Sequence, residues 1–168
     1  MTEIRDSMPV HPYRGPARGE AEAVLRIDGL VRRPLEARAA DLAGMSRIEH
    51  TEAFACEEGW TVPAVRWRGV RLADVVSLAD PLPSARYVRV HAGGYVVPVE
   101  LGAAGDALLC EEMNGQPLPA AHGAPWRLLV RGGACFTSVK WVDRLELAAT
   151  AGPREGERIA RERRGMSA

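Results

Sequence analysis

The chain has 168 residues, of which 22 are basic and 22 acidic, so its formal net charge at pH 7 is zero. This length fits one domain that can bury a core without disulfide support. The charge balance gives no net field that would favour nucleic acid or an acidic membrane surface, so an anionic ligand would have to be bound by local groups.

The cysteines and the N-terminus restrict the compartment. Cys56, Cys110 and Cys135 form an odd set without C-x-x-C spacing, which disfavours a disulfide framework and a tetrahedral zinc site. The first residues lack the apolar segment of a signal peptide, and no window approaches a membrane span. We therefore expect a cytoplasmic protein with no membrane span and no nucleic-acid partner.

The first half of the chain predicts an arm followed by the start of a packed domain. Residues 1–23 are rich in proline and glycine and predict an N-terminal arm, while the domain is expected over residues 24–150. Inside the domain, residues 24–29 predict a strand and residues 35–42 a short helix. Two strands are then expected on either side of a cysteine loop, over residues 47–56 and 61–67.

The second half predicts more strands than helices. Residues 71–78 favour a helix that ends before Pro81, and residues 87–97 favour a hairpin that turns at Gly93-Gly94. Further strands are expected over residues 108–113, 126–130 and 139–147. Residues 151–168 form a charged tail without an apolar face, which predicts a solvated helix or disorder. This pattern indicates an α+β fold with mixed β-sheets and short helices.

Several common site motifs are missing from the sequence. It contains no G-x-G-x-x-G after a strand, no Walker loop, no H-E-x-x-H and no C-x-x-C-H. Nicotinamide binding, nucleotide-triphosphate binding, zinc proteolysis and covalent haem attachment therefore have no local support.

Cys56 is the first candidate site residue. It follows an alternating apolar segment and precedes a Glu-Glu-Gly turn, so its sulfur is expected at a strand end that a ligand can approach. A thiolate there would suit a soft metal, whereas the alternative is a buried, inert cysteine. Glu58 is either a proton donor at such a site or an exposed turn carboxylate. Trp60 is expected to pack at the wall of the pocket.

A second group of candidates follows about sixty residues later. Arg127 offers a planar fork of N–H donors and His122 offers ring nitrogens, which suit a phosphate or a heterocyclic oxygen. Ser138 and Lys140 add a hydroxyl and an ammonium two residues apart, on one face if the segment is extended. The alternative places Arg127 in a surface ion pair and His122 in an ordinary loop.

These runs together resemble a known family. The chain reads C-x-E-x-W at residues 56–60, N-G-x-P-L and H-G-x-P-x-R-L within residues 114–128, and S-V-K at residues 138–140. This pattern resembles the molybdopterin-binding domain of the sulfite oxidase family, including its bacterial single-domain branch that reduces methionine sulfoxide in proteins. The resemblance implies that fold, and molybdenum–molybdopterin (a molybdenum ion plus the pterin dithiolene) as cofactor. It further implies two-electron oxygen-atom transfer on a small S-oxo, N-oxo or sulfite-like substrate, with a separate electron-transfer protein as partner.

The resemblance also implies roles for individual residues. Cys56 would be the protein thiolate on molybdenum, and Glu58 a proton donor. Arg127, Ser138 and Lys140 would bind the terminal phosphate of the cofactor. The full set expected to bind the cofactor is His122, Arg127, Gly132, Gly133, Ser138 and Lys140.

The sequence departs from the family pattern at several positions. Arg131 stands where a proline is usual, and Cys135 stands where a glycine is common, so Cys135 either crowds the pterin loop or is a second thiol near the site. Three arginines are candidates for binding a sulfite-like anion by their proximity in sequence to Cys56, namely Arg66, Arg68 and Arg71. The alternative function is a non-catalytic molybdopterin-binding or carrier module, and a β-rich interaction domain without cofactor ranks third.

Overall fold

The chain folds as the expected α+β structure with two mixed β-sheets. The computed structural model describes residues 2–10 and 23–166. Its strands are β1 (Glu3–Ile4), β2 (Leu25–Gly29), β3 (Leu35–Ala37), β4 (Arg47–Cys56), β5 (Trp60–Arg71), β6 (Tyr87–Ala92), β7 (Tyr95–Glu100), β8 (Ala107–Met113), β9 (Gln116–Pro117), β10 (Arg127–Val130) and β11 (Arg144–Ala148). The helices are α1 (Ala39–Leu42), α2 (Leu72–Ser77) and α3 (Glu155–Met166), with 3-10 helices at Leu101–Asp106, Ala120–His122 and Cys135–Thr137.

The first sheet is built around the long strand β5. In the described residues, β5 pairs with β1, β4 and β8, while β8 also pairs with β9 and β10. Only the β1–β5 pairing is parallel in this sheet. The β5–β8 register shifts at one point, because Arg68 lies opposite Glu112 but Gly69 lies opposite Cys110. Glu111 is therefore the extra residue of a β-bulge, and bulges of this kind bend a strand locally.

The second sheet and α2 enclose the main core. The strand order of this sheet is β3-β2-β11-β6-β7, with β2 and β11 parallel. Apolar side chains of this sheet, including Leu25, Val88 and Leu145, pack in one cluster with Val75 of α2 and Leu128 of β10. Burial of these side chains is the main stabilising contribution to the fold, at about 1.5–3 kcal/mol for each large one.

A second apolar cluster lies on the opposite face of the first sheet. Side chains alternate across a strand, so Leu128 of β10 packs in the main core while Leu129 packs in this second cluster. The second cluster consists of Met8, Phe54, Trp60, Val62, Val65, Trp67, Leu108, Cys110, Leu118, Ala124 and Leu129, with Cys56 and Cys135 packed against it. The first sheet is thus covered on both faces, and the second cluster supports the candidate site.

Most of the strands follow the sequence predictions, but two segments differ. The helix predicted over residues 35–42 is wrong in its first half, because residues 35–37 pair as β3 with β2 and only Ala39–Leu42 are helical. The strand predicted over residues 139–147 begins only at Arg144. Residues 139–142 instead run along the segment before β10, where Val142 N–H donates to the Trp126 carbonyl.

Both ends of the chain contact the domain. Glu3 lies opposite Trp60 in the β1–β5 pairing, and Met8 packs in the second cluster, whereas residues 11–22 of the expected arm lie outside the described residues. Residues 155–166 form α3, whose buried Gly156 packs against Tyr95 and Val97 of β7. The boundary of the domain at residues 24–150 stays a prediction.

The helices in the described part of the chain carry no candidate for a membrane span, since none combines the required length with an apolar sequence.

Candidate functional site

Cys56 ends β4 and faces a second cysteine. Its Sγ lies 3.6 Å from the Sγ of Cys135, which begins the 3-10 helix Cys135–Thr137. Both side chains are half-buried, and both thiols are free. Cys56 is therefore not fully buried, whereas the exposure of Cys110 is 0%. The role of Cys56 as a ligand stays a prediction. Cys135 is a second thiol next to the candidate metal ligand.

The turn after β4 supplies backbone donors to both sulfurs. The amide of Glu58 donates to Cys56, and the amide of Glu57 donates to Cys135. The hydrogen bond between the two sulfurs raises the pKa of Cys56 and lowers that of Cys135. One thiolate is thereby favoured over two, because two negative sulfurs at this separation repel each other.

Glu58 lies on the exposed turn beside this pair. Its carboxylate accepts a hydrogen bond from the indole N–H of Trp60 at 3.4 Å, and its charge raises the pKa of both thiols. The carboxylate is thus near the two sulfurs and open to solvent. This position is compatible with proton exchange between solvent and the site.

Arg127 is the most buried charged group of the site. Its side chain is 2% exposed, and it lies over the rings of Phe54 and Trp67 at 5.3 and 5.0 Å. Arg127 Nε donates to Ser138 Oγ at 2.9 Å, and Nη1 donates to the His122 carbonyl at 3.0 Å. Burial lowers the pKa of Arg127 to about 10.

Within the described residues, no ion pair joins Arg127 to a carboxylate, which corrects the alternative of a surface ion pair. Aromatic faces and neutral oxygens satisfy only part of a buried guanidinium, and a buried cation without a counter-ion is costly. The site therefore favours a bound anion.

Lys140 and His122 lie next to Arg127. Lys140 Nζ donates to the Ala121 carbonyl at 3.1 Å and lies 5.5 Å from the ring of Trp141. Burial, with the charge of Arg127 as a second cause, lowers the pKa of Lys140 to about 8. Burial also lowers the pKa of His122, followed by the charges of Lys140 and Arg127. The imidazole is therefore neutral at pH 7.

Two buried polar atoms of the site are without a hydrogen-bond partner. Among the described residues, His122 Nδ1 and Trp67 Nε1 are the buried side-chain nitrogens or oxygens that lack one. Such orphaned atoms are uncommon in native proteins and often mark the position of a bound group. Together with the unpaired cations, they fit a ligand that carries both an anionic group and polar ring atoms.

The two predicted glycines shape the loop between β10 and the Cys135 helix. Gly132 has φ +67, and its N–H donates to Glu52 Oε2 at 3.2 Å. A Cβ on Gly133 would lie 2.7 Å from Thr137 Oγ1 and 2.9 Å from the Val130 carbonyl. The Gly133 position thus requires glycine for packing of the loop on itself, and Gly132 leaves its exposed backbone accessible.

Some details of the predicted site are different in the structure. Ser138 and Lys140 do not share one face of a strand, because Ser138 ends a 3-10 helix with φ −81 and ψ 73. Both residues nevertheless lie near Arg127. Ser138 accepts a hydrogen bond from Arg127, and Lys140 donates to the Ala121 carbonyl, next to His122. Trp141, which follows Lys140, is half-buried, with its indole N–H donating to the Ala120 carbonyl.

The arginines that follow Cys56 closely in the sequence lie away from it along the β4–β5 pair. Arg66 lies opposite Thr51 on β4, five residues from Cys56, or about 17 Å along the strand. A different arginine, Arg5, is near the site: it lies 5.6 Å from the ring of Trp60, and the charges of Glu58 and Cys56 help to raise its pKa after its hydrogen bond with Glu3. No motif in the sequence predicts the place of Arg5, because its position depends on the β1–β5 pairing.

The sequence model of one family covers nearly the whole described domain. This family is the oxidoreductase molybdopterin binding domain, and it matches residues 14–155. The chain belongs to this family. The expected enzyme class, a molybdenum-dependent oxidoreductase of the sulfite oxidase family, and the expected molybdenum–molybdopterin cofactor are thereby confirmed at the level of the family.

Relatives of this molybdopterin-binding domain include named enzymes. The chain is 30% identical to the uncharacterized oxidoreductase YuiH of Bacillus subtilis, over 84% of the chain and 73% of YuiH. It is 30% identical to the catalytic subunit of protein-methionine-sulfoxide reductase, MsrP, of Gluconobacter oxydans, over 86% of the chain and 53% of MsrP. It is 28% identical to sulfite oxidase of Arabidopsis thaliana, over 73% of the chain and 41% of that enzyme. The chain thus spans 53% of the length of MsrP and 41% of the length of the Arabidopsis sulfite oxidase.

A solved structure shows the same fold. The crystal structure of the sulfane dehydrogenase SoxCD from Paracoccus pantotrophus matches with a TM-score of 0.74, over 82% of this chain and 41% of that one. The sequence identity is 23%, so this likeness concerns the fold alone. It confirms the expected molybdopterin-domain fold of the sulfite oxidase type.

The lowered pKa of Lys140 gives a first testable prediction. An unfolded lysine has a pKa of about 10.4, so between about pH 8 and pH 10 the unfolded chain binds more protons than the folded one. The stability of the cofactor-free protein therefore rises with pH in this window through this group. We expect Lys140→Met to raise the melting temperature at pH 7 and to flatten this rise, as measured by thermal unfolding at a series of pH values.

The matched control is Arg131→Met, which removes an exposed cation from the neighbouring loop. It should leave both the melting temperature at pH 7 and the pH profile close to those of the wild type. A melting temperature that falls in Lys140→Met would contradict the conclusion that the buried ammonium is a cost to the cofactor-free fold.

Proposed function

We propose that this domain catalyses two-electron oxygen-atom transfer at molybdenum, on a small S-oxo, N-oxo or sulfite-like substrate. The observation that carries the proposal is the combination of a half-buried thiol, Cys56, with a buried guanidinium, Arg127, that has no carboxylate partner in the described residues. Burial lowers the pKa of Arg127, while Cys110 and then Cys135 act in the opposite direction. Cys135 lies beside Cys56, so we assign the thiols and the cations to one site.

Each residue has a distinct task in this proposal. Cys56 supplies a soft sulfur ligand, and soft ligands suit a thiolate-bound redox metal. Arg127 and Lys140 bind the terminal phosphate of the cofactor, with Ser138 holding the guanidinium in place through its 2.9 Å hydrogen bond. His122 presents Nδ1, its buried and unpaired ring nitrogen, to the pterin. When bound, the cofactor supplies the two-electron chemistry, and the protein fixes its position.

Glu58 is proposed to exchange the protons that accompany oxygen-atom transfer. Its carboxylate lies beside the two sulfurs and is open to solvent, so a proton can pass between Glu58 Oε2 and bulk water. Trp60 holds this carboxylate through its indole N–H and is itself buried, which limits the orientations of the turn.

The partners follow from the same chemistry. A centre that exchanges two electrons with its substrate must be restored by a second electron donor or acceptor. We propose that a separate electron-transfer protein fulfils this task, and that the domain works in the cytoplasm, where its three free thiols stay reduced.

The proposal is tested on protein from a host that makes molybdenum cofactor. Plasma mass spectrometry would give molybdenum per chain, followed by assays of sulfite with an electron-accepting dye and of S-oxides and N-oxides with an electron-donating dye. We expect near-stoichiometric molybdenum and turnover with one of these substrate classes. Full molybdenum content without turnover in either assay would contradict catalysis.

One observation favours the alternative of a non-catalytic molybdopterin carrier. Cys135 stands where the family commonly has a glycine, and its hydrogen bond engages the sulfur of Cys56. A carrier holds the cofactor through the phosphate and pterin contacts without needing a free metal ligand. The same dye assays distinguish the two, because a carrier would give cofactor without turnover.

A further inference from the structure

The pair formed by Cys56 and Cys135 has a chemistry of its own. Their sulfurs lie 3.6 Å apart, whereas bonded sulfurs in a disulfide lie about 2.05 Å apart. The gap of about 1.5 Å is within the reach of a single side-chain rotation. No other pair of cysteines competes, because the third, Cys110, has an exposure of 0% within the second apolar cluster.

Each sulfur lies at the end of its element, next to an exposed segment. Cys56 is followed by the exposed turn at residues 57–59, and Cys135 is preceded by the exposed loop at residues 131–134. A small oxidant can therefore reach the pair, because Cys56 is the last residue of β4 and Cys135 the first of its 3-10 helix. Tyr95 Oη of β7 donates to the Phe136 carbonyl at 2.6 Å, which ties the Cys135 helix to the second sheet.

A metal site made by the protein alone is less well supported by the same residues. Two thiolates would need two further ligands to complete a tetrahedral site. Among the described residues, no cluster of three or more His, Cys, Asp or Glu side chains could hold a metal ion. The geometry thus favours reaction between the sulfurs over a shared ion.

We infer that Cys56 and Cys135 form a redox modification site, at which a hydroperoxide converts the two thiols into a disulfide. The sulfur of Cys56 is then no longer available to bind molybdenum. The bond depends only on the geometry of the pair, whereas its effect on the cofactor rests on the proposed function. No separate redox partner is needed to form it, because the hydroperoxide is the oxidant.

The reaction proceeds in two steps. The sulfur of one cysteine attacks the peroxide, the O–O bond breaks, and a sulfenic acid forms as one water leaves. The other sulfur then attacks the sulfenic sulfur, the S–S bond forms, and a second water leaves. The two thiols lose two electrons and two protons in total, and hydrogen peroxide becomes two molecules of water. A small dithiol restores the thiols by exchange.

The test uses the full-length, cofactor-free chain from a host that cannot make molybdenum cofactor. The reduced protein is treated with equimolar hydrogen peroxide, and the remaining thiols are blocked with iodoacetamide. After any carbamidomethyl group on Cys110 is subtracted, we expect an intact mass two hydrogens below that of the reduced protein. We also expect a peptide pair linked through Cys56 and Cys135, and recovery of both thiols with dithiothreitol. Alkylation of both Cys56 and Cys135 after peroxide treatment, or a disulfide through Cys110, would overturn the inference.

A variant and a loaded sample complete the design. Cys135→Ser, checked for folding by circular dichroism, should form no disulfide and should instead leave a sulfenic acid on Cys56 that dimedone traps. A loss of two hydrogens within one Cys135→Ser chain would overturn the inference. Protein loaded with cofactor should resist disulfide formation, because Cys56 is then bound to metal.

The outcomes separate the two proposals. A disulfide that forms equally in loaded and cofactor-free protein would support the modification site and contradict the role of Cys56 as metal ligand. Loaded protein that depends on Cys56 for molybdenum, combined with cofactor-free protein that forms no disulfide, would support the proposed function and overturn the modification site.

Discussion

Cys56→Ser is expected to yield a folded protein without molybdenum. A serine hydroxyl is a hard, protonated donor, whereas the proposed metal ligand is a soft thiolate. Cys56 is half-buried at the end of β4, so the isosteric change leaves the strand and its packing in place. Mutation of residues that support a metal ligand typically costs roughly 10–100-fold in metal affinity or activity. Loss of the ligand itself should reduce metal affinity by more than this.

The measurement is molybdenum per chain by plasma mass spectrometry, with the visible absorbance of the thiolate–metal bond as a second readout. Cys135→Ser is the matched control, because it makes the same thiol-to-hydroxyl change 3.6 Å away. In reducing buffer this control should keep its molybdenum and its colour. Molybdenum retained by Cys56→Ser, with normal turnover, would remove Cys56 from the site.

Gly69→Ala is expected to destabilise the whole fold by about 3 kcal/mol, or to prevent folding. A Cβ at Gly69 would lie 2.0 Å from the carbonyl oxygen of Leu109 and 2.6 Å from the Cα of Cys110. These are backbone atoms of the neighbouring strand β8, so the clash cannot be relieved by a side-chain rotation. The strain falls at the β-bulge, next to the residue that pairs with Arg127.

Chemical denaturation followed by circular dichroism would measure this loss. Gly44→Ala is the control, because a Cβ at that exposed position meets nothing within 4 Å. It should change the free energy of unfolding by less than about 0.5 kcal/mol. Equal stability of the two variants would contradict the close approach of β5 and β8 at the bulge.

Strands that alternate strictly were predictable from the sequence. The long strand β4 and β6 of the hairpin follow the period-two pattern of more and less buried side chains, and the Gly93-Gly94 turn marks the hairpin end. β7 departs from the pattern, because its consecutive residues Val96 and Val97 are both buried. The helix predicted over residues 35–42 was wrong in its first half, because pairing of β3 with β2 outweighs the helical pattern of Leu35 and its neighbours. The contact that decides this segment is tertiary, and a local window does not contain it.

The candidate site was predicted from short motifs, and the roles of its residues stay predictions. Cys56 and Arg127 stand out by residue type and spacing, and the structure brings their neighbourhoods together. The contact of Arg127 with the rings of Phe54 and Trp67 was not predicted, because the two rings come from different strands. Their shared face depends on the β4–β5 register, which changes at a bulge between Glu52 and Phe54.

The N-terminal residues were the least predictable part of the described chain. A strand of two residues, Glu3 and Ile4, has too short a pattern to be recognised, and its partner lies almost sixty residues away. Its pairing brings Arg5 over Trp60 and near the acidic turn.

The half-buried ammonium described at the site is also the only lysine of the sequence, since all other basic residues are arginines. Amine-directed modification of a side chain, such as acetylation or carbamylation, therefore has one possible target in this protein. With its pKa lowered to about 8, Lys140 is more often in the uncharged, nucleophilic form than an ordinary lysine. A single acyl group would thus neutralise the proposed phosphate contact and report, by its rate of attachment, whether the cofactor covers it.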